Sequence, residues 1–246
     1  MPLYREQGIV LRTHKLGEAD RIVVLMTAGR GKVRAVAKGV RKTKSRFGGR
    51  LEPPGHLALQ LYEGRQLDTV TEVSSIDHFR PLHEDLDRLG DTLALLEVVE
   101  AVASEGHADY RLYRMLLGAL RTLADAPSPL VVAGFYWKLL ALDGTSPLLD
   151  CCARCGAEDT KLVEKPVLVA FDLAVGGALC RSCRSGVPVS PQALAVVRSI
   201  LGGDLAAALR QPVGPVASEV AELATHAMES HLERRLRVAR LLHHPH

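Results

Sequence analysis

The sequence predicts an α+β, multi-domain chain, with a small closed β-barrel first and a mainly α-helical domain after it, into which a cysteine-rich segment is inserted. Three observations carry this reading. Short stretches of alternating apolar and polar residues, separated by Gly-bearing turns, occupy the chain up to Val73; from Ile76 the apolar spacing becomes helical; and all five cysteines fall within the 33 residues from Cys151 to Cys183.

The strands come in order. Residues 6–16 alternate partly and are β-branched early, Arg21–Thr27 and Lys32–Ala37 are joined by Ala28-Gly29-Arg30-Gly31, and His56–Tyr62 and Leu67–Val73 are joined across Glu63-Gly64-Arg65. Five short strands with such turns fit a small barrel, with the Greek-key OB-fold as the leading candidate; an SH3-like barrel has the same strand statistics. The helical half begins with Leu89, Leu93, Leu96 and Val99 or Glu100 at helical spacing, continues through Asp109–Ala124, and after Pro127-Ser128-Pro129 reaches Leu130–Leu142, apolar almost all round. Ser190-Pro191 supplies an N-cap and a first-turn proline for a helix to Leu201. A last helix starts near Pro215, with one face traced by Val216, Val220, Leu223, Ala227, His231 and Leu232 as far as an arginine-rich end. The expected domains are 1–80 and 81–246, with the cysteine insertion at 147–188.

At 246 residues and 26.6 kDa, with 47% hydrophobic and 24% charged residues, the chain can bury a sizeable core. Its net charge of +3 is unevenly placed: residues 1–80 hold 15 Lys/Arg against 8 Asp/Glu, and the remainder 16 against 20. The opening MPLYREQG is polar and no window is apolar enough to span a bilayer, so no secretory signal and no membrane segment is expected, and the cytoplasm is the expected compartment. In that compartment clustered cysteines argue for metal rather than disulfides.

Cys152-Ala-Arg-Cys155 and Cys180-Arg-Ser-Cys183 are two CxxC knuckles separated by 24 residues, and four thiolates can close a tetrahedron around Zn²⁺. A hairpin over Leu162–Val169 with a turn at Gly176-Gly177 would absorb the long spacer. Cys151 is the spare; the glycine after Cys155 suits a knuckle turn, so Cys152 is taken as first ligand. Four sulfurs leave no open coordination position, so the site is read as structural.

Between Arg21 and Leu51 there are ten Lys or Arg residues and no Asp or Glu. A solvated surface loop is the plain reading, but solubility faces usually interleave both signs. Uncompensated cations on and beside barrel strands suit a polyanion, bound through phosphates in a salt-sensitive way. The second half of the stretch, from Lys38 to Arg50, is expected to be a flexible arm, too basic and Gly-rich to pack. Tyr4, Phe47, Tyr62 and Phe79 are the few aromatics available for base stacking.

Enzyme signatures fail on spacing. A P-loop around Gly31-Lys32 would need Gly at Met26 and Ser or Thr at Val33; His83-Glu84 meets Asp87 where HExxH needs its second His; and His226 and His231 lie five apart. No nucleophile motif is present, so no catalytic set is expected. The C-terminal cations Arg234, Arg235, Arg237 and Arg240 are expected in the last helical turns, balancing the helix dipole or offering a second anion contact; His243, His244 and His246 follow.

Ala37-Lys38-Gly39-Val40-Arg41-Lys42, then Lys44-Ser45-Arg46-Phe47-Gly48-Gly49, then Leu51-Glu52-Pro53, resembles the signature loop of the RecO recombination mediators. The opening GIVLRTHKLGEADRIVVLMT is similar to that family's first strands, and the CxxC pair, with Phe171 and Gly176-Gly177 between, resembles its zinc-bearing subset. The resemblance implies an N-terminal OB-fold, a helical C-terminal domain and a structural zinc knuckle. It also implies binding of single- and double-stranded DNA, annealing of complementary strands, and location with the nucleoid in the cytoplasm. RecR and the acidic tail of single-stranded DNA-binding protein are the implied partners, so that RecA is loaded at gaps and breaks. Lys38, Arg41, Lys42, Lys44 and Arg46 fall on the loop's basic positions; local charge adds Arg34 and Arg50. Two other readings stand beside this one: an adaptor whose basic loop docks an acidic protein surface, and a zinc-dependent nucleic-acid enzyme.

Overall fold

The computed structural model describes residues 2–43, 45, 47–158 and 167–238. Strands β1 (Leu3–Leu16), β2 (Asp20–Thr27), β3 (Gly31–Ala37), β4 (His56–Tyr62) and β5 (Asp68–Asp77) close into a barrel in the order β1-β2-β3-β5-β4. Pairing is antiparallel except between β3 and β5, which run parallel through Ala35↔Asp68 and Val36↔Thr69. A simple meander would pair β3 with β4; this Greek-key order is that of the OB-fold and decides between the two barrels. Sequence alternation sets the inside. On β3, Gly31, Val33, Ala35 and Ala37 face the core while Lys32, Arg34 and Val36 face out. β5 continues past Val73 to Asp77, so strand structure outlasts the change of apolar period at Ile76.

A second apolar layer lies on the outside of the barrel. Val24 and Met26 point outward from β2 yet are buried, because α2 (Leu86–Val102) and α3 (Tyr110–Asp125) pack on β1 and β2 after the short α1 (Arg80–Glu84). A bulge at Leu11, between Val10 and Arg12, lets adjacent residues of β1 serve both layers. Because α2 touches both α3 and the barrel, its buried arc runs through Leu95, Leu96, Val98 and Val99. Leu93, expected inside, is 39% exposed. The α2–α3 connection is stitched to the β2–β3 hairpin: Lys32 donates its backbone N–H to the Ser104 carbonyl (3.1 Å) and its Nζ to the Glu100 carbonyl (2.9 Å). Gly31 sits there at φ +66°, where a Cβ would lie 1.9 Å from the His107 carbonyl oxygen, so only glycine fits.

At the start of β4, buried His56 has its Nε2 2.7 Å from the Tyr113 hydroxyl on α3, while its Nδ1 has no partner. Burial lowers its pKa from the ordinary value, assisted by the Arg121 charge and opposed by Asp77. The unfolded chain therefore takes up a proton first as pH falls through the usual histidine range, and stability present above that range is lost below it. Chemical denaturation midpoints should drop more between pH 7.5 and 5.5 in the natural chain than in His56→Gln, which does not titrate; equal drops would assign the acid sensitivity elsewhere.

By packing, the chain forms two compact units, Met1–Ala126 together with the segment from Leu236, and Pro127–Arg235. In the second, α4 (Val131–Leu142) is buried nearly all round, as its composition requires, against α5 (Pro191–Leu201), α6 (Leu205–Leu209) and α7 (Pro215–His231). Ser190 caps α5 as expected, accepting from Ala193 N–H (3.1 Å), and Glu219 of α7 holds the Ser190 N–H and hydroxyl, each at 2.6 Å. A small sheet of β6 (Leu168–Asp172), β7 (Gly177–Cys180) and β8 (Val187–Pro188) completes this unit, with Phe171 set edge-on to Trp137, ring centroids 5.9 Å apart. The hairpin expected over Leu162–Val169 lies mostly outside the described residues.

Helix α7 stops at His231; Arg234 and Arg235 lie beyond it, and helical backbone is found again at residues 237–238. Glu233 turns the chain at φ +52°, Arg235 pairs with Glu229 (2.6 Å), and Arg237 N–H donates to both Glu97 carboxylate oxygens. His231 is the basic residue in the last turn of α7, and Arg234, Arg235 and Arg237 come after the helix instead of forming its last turns. Arg240, His243, His244 and His246 lie outside the described residues.

Candidate nucleic-acid interface and metal centre

The basic loop from Lys38 to Gly55 leaves β3 and returns as β4. Among its described residues it is folded, contrary to the flexible arm expected from its composition. Gly39 N–H donates to the Asp20 carboxylate (2.7 Å), Arg41 N–H to the Ala19 carbonyl (3.0 Å), and the Arg41 guanidinium to the Gly17 and Glu18 carbonyls (3.3 and 2.9 Å). The loop is thereby clamped to the β1–β2 turn. Turns through Lys42–Gly39 and Ser45–Lys42 follow, then a 3-10 turn at Gly48–Leu51. Phe47 and Leu51, each 1% exposed, enter the barrel core beside Val10, Leu57 and Val70, and Val40 packs on them. Two apolar residues suffice to seat the loop, and its cations then project from a fixed base.

This seating redistributes roles among the expected site residues. Arg34, Lys38 and Lys42 are exposed and, among the described residues, make no ion pair. Arg41 is exposed but engaged with the two turn carbonyls, so it is first a brace. Arg50 donates to the Phe47 carbonyl (3.2 Å) within the 3-10 turn. Of the other cations in the stretch, Arg21 pairs with Glu52, Arg30 lies 3.9 Å over the Tyr4 ring, and Lys32 is held by α2. Lys44 and Arg46 lie outside the described residues. Of the four aromatics considered for stacking, Phe47 and Phe79 are buried and Tyr4 is covered by Arg30; only Tyr62 is substantially exposed.

The cysteines converge in the second unit. The Sγ atoms of Cys152, Cys155, Cys180 and Cys183 all lie within 4.8 Å of one another, and Cys155 and Cys180 are 3.7 Å apart. A tetrahedron with metal–sulfur bonds of about 2.3 Å has edges of about 3.8 Å, so the group is sized for a closed four-sulfur metal site. Each knuckle is shaped by its backbone: Gly156 N–H returns to the Cys152 carbonyl (2.8 Å) with Gly156 at φ +74°, and Cys183 N–H returns to the Cys180 carbonyl (3.1 Å). Arg154 ties one knuckle to the other through the Cys183 carbonyl (3.0 Å) and Ser185 (3.2 Å). Cys151 stands outside the group, in a backbone bridge to Glu158.

Without a cation the four thiols compete for ionisation. Burial acts to raise the Cys152 thiol, but N–H groups of Cys180, Cys155 and Arg154 outweigh it and bring its pKa down to about 6. Hydrogen bonds to Cys155 and Cys180 push Cys183 up to about 12. Four thiolates in this volume call for a positive ion, and four sulfur donors suit a soft or borderline metal ion.

The N-terminal region matches the family model described as "Recombination protein O N terminal" over residues 1–79, and the rest matches "Recombination protein O C terminal" over residues 83–240. The chain belongs to the RecO family. Its closed barrel is the OB-fold of RecO proteins, which are non-catalytic mediators of recombinational DNA repair that bind DNA and partner proteins. The two RecO matches are separated only by residues 80–82, where strand gives way to helix, whereas the compact units part after Ala126; α2 and α3 fall within the C-terminal match and pack with the barrel. Among the described residues, no helix is long and apolar enough to cross a membrane.

Proposed function

We propose that the chain is a DNA-binding mediator that binds single- and double-stranded DNA, anneals complementary strands and helps load RecA onto strands coated by single-stranded DNA-binding protein, without chemistry of its own. Residues 1–80 serve as the DNA-binding domain and 81–246 as the helical domain, with the insertion at 147–188 folded around a structural zinc held by Cys152, Cys155, Cys180 and Cys183. Arg34, Lys38, Lys42, Lys44, Arg46 and Arg50 contact phosphates, and Arg41 adds its charge while bracing the loop. The carrying observation is that Lys38 and Lys42, exposed and without an ion pair among the described residues, stand on a seated loop of an OB-fold barrel in a RecO-family chain. RecR and the acidic tail of single-stranded DNA-binding protein are the protein partners, in a cytoplasmic, nucleoid-associated setting. For an acidic tail, the second unit offers a 290 Å³ cavity lined by Trp137, Leu140, Phe171 and Leu173, with a cleft bearing Arg234 and Arg235 that shares Leu173 and Ser230 with it.

Neutralising about five phosphates on a single strand gives a log–log salt slope of roughly −3.5, and so about a hundredfold loss of affinity between 50 and 200 mM salt. Lys38→Ala/Lys42→Ala should flatten that slope by about 1.4 while the thermal midpoint stays put, because neither side chain is buried or paired. Fluorescence anisotropy with a labelled single strand reads this directly. An unchanged slope, with an acidic peptide binding more tightly than DNA in the same buffer, favours the adaptor reading instead.

A further inference from the structure

We propose that the exposed face of α3 is a second nucleic-acid contact, an arginine track that takes the phosphate backbone of a single strand as it leaves the barrel loop. The inference rests on the DNA-binding reading above and extends it to residues outside the loop. The helix holds Arg111, Arg114 and Arg121, and its one acidic residue, Asp125, is its last. All three are exposed, and among the described residues none makes an ion pair. At about 100° per residue, Tyr110, Arg114, Gly118 and Arg121 fall within one quadrant of the helix, with Arg111 at its edge.

Three features distinguish this face from an ordinary solvated one. Solvated helical faces are usually laced with both signs at i,i+4, and this one is cationic from Tyr110 to Ala124, with an acid, Asp125, only at its end. The cations are all arginine, whose planar fork suits phosphate oxygens. Tyr110, 56% exposed, lies 25° from parallel with Tyr113 at 6.1 Å between ring centroids, and Arg114 reaches its hydroxyl (3.3 Å). An exposed ring fixed in place beside cations is a stacking platform for an unpaired base. Gly118, between Arg114 and Arg121, would meet nothing within 4 Å even with a Cβ, so the track has no obstruction at its middle.

Placement sets α3 against the end of the loop through its buried side. His56, the first residue after the basic loop, is hydrogen-bonded to Tyr113 of α3, and the Arg121 charge acts on His56. Loop exit and helix are therefore in contact within one compact unit. Arg111 and Arg121 are separated by about 15 Å of helix, at 1.5 Å per residue, so the three guanidinium groups can reach different phosphates.

The test compares Arg111→Gln/Arg114→Gln/Arg121→Gln with Lys38→Ala/Lys42→Ala in the full chain, on short and long oligothymidylates. The track variant should bind a strand of roughly 10 nucleotides like the natural protein. It should lose roughly tenfold or more on a strand of roughly 40, with the salt slope flatter by about 2. The loop variant should weaken on both lengths. An unchanged long-strand affinity and slope in the track variant, with the loop variant still impaired, overturns the track and leaves the loop reading standing. No change in either variant overturns DNA binding at the loop as well. Loss of poly-glutamate binding with DNA binding intact overturns the track in favour of an acidic protein partner.

Discussion

Cys180→Ser should strip the metal from the chain and melt the segment around β6–β8. Cys180 ends β7, is buried, and is 3.7 Å from Cys155 through sulfur. A serine hydroxyl there is a hard, weakly acidic donor that does not replace a thiolate on a soft four-sulfur site. Structural zinc contributes on the order of 10 kcal/mol of binding free energy that counts as folding free energy, comparable with the whole stability of an ordinary domain. Apart from the metal, the segment is held by a few mostly small buried side chains, Leu168, Ala170, Ala178 and Leu179. β8 is two residues long and exposed, and β6 contributes one large aromatic contact, Phe171 on Trp137. Metal analysis should give about one zinc per natural chain and none in the variant, and amide exchange at Leu168–Leu179 should rise to unfolded rates while β1–β5 remain protected. Cys151→Ser is the matched control and should keep both metal and protection, since Cys151 is outside the group. Metal retained at full occupancy in Cys180→Ser, or lost in Cys151→Ser, would overturn the assignment of ligands.

The barrel was legible in the sequence because alternation reports directly on an element with one wet and one dry face, as β3 does from Gly31 to Ala37. The metal group was legible for a different reason: two CxxC knuckles fix their own local geometry, whatever connects them. What escaped were features set by tertiary packing. Leu93 lies on the face that a single-sided helix would bury, but α2 is wedged between α3 and the barrel, and its dry arc follows both neighbours. Val24 and Met26 break the alternation of β2 because helices cover them from outside. The arginine-rich end reads as helix by composition, but the chain turns at Glu233 and Glu97 captures the Arg237 and Val238 N–H groups. On α3, the face opposite the buried Leu112, Leu116 and Leu120 carries one sequence signal, Arg111, Arg114 and Arg121 without an acid among them. In the basic loop, six cations mask the weight of two apolar residues. Burial is decided residue by residue, and Phe47 and Leu51 were enough.

Phe47→Ala should be the most damaging single change in the loop, although it removes no charge. Phe47 is 1% exposed and is the largest apolar anchor of a loop otherwise held by Leu51, Val40 and hydrogen bonds at the β1–β2 turn. Deleting a buried phenylalanine costs about 3–5 kcal/mol through lost transfer energy and the cavity left behind. For a small barrel that is a large share of its stability, and the urea midpoint of the first unit should fall accordingly. DNA affinity should fall too, under conditions where the variant is still folded. A seated loop presents Lys38 and Lys42 from a fixed base, whereas an unseated one has to be ordered at the moment of binding, at a cost that scales with the number of side chains immobilised. Phe47→Leu keeps an apolar anchor of similar reach and should retain most of both properties. Lys42→Ala gives the converse pattern, weaker and less salt-sensitive binding at unchanged stability. If Phe47→Ala were as stable as the natural chain, the loop would not be held by the barrel core. If it lost stability but bound DNA with natural affinity and slope, the cations would act without the seat, and Lys38 and Lys42 would gain nothing from the fold beneath them.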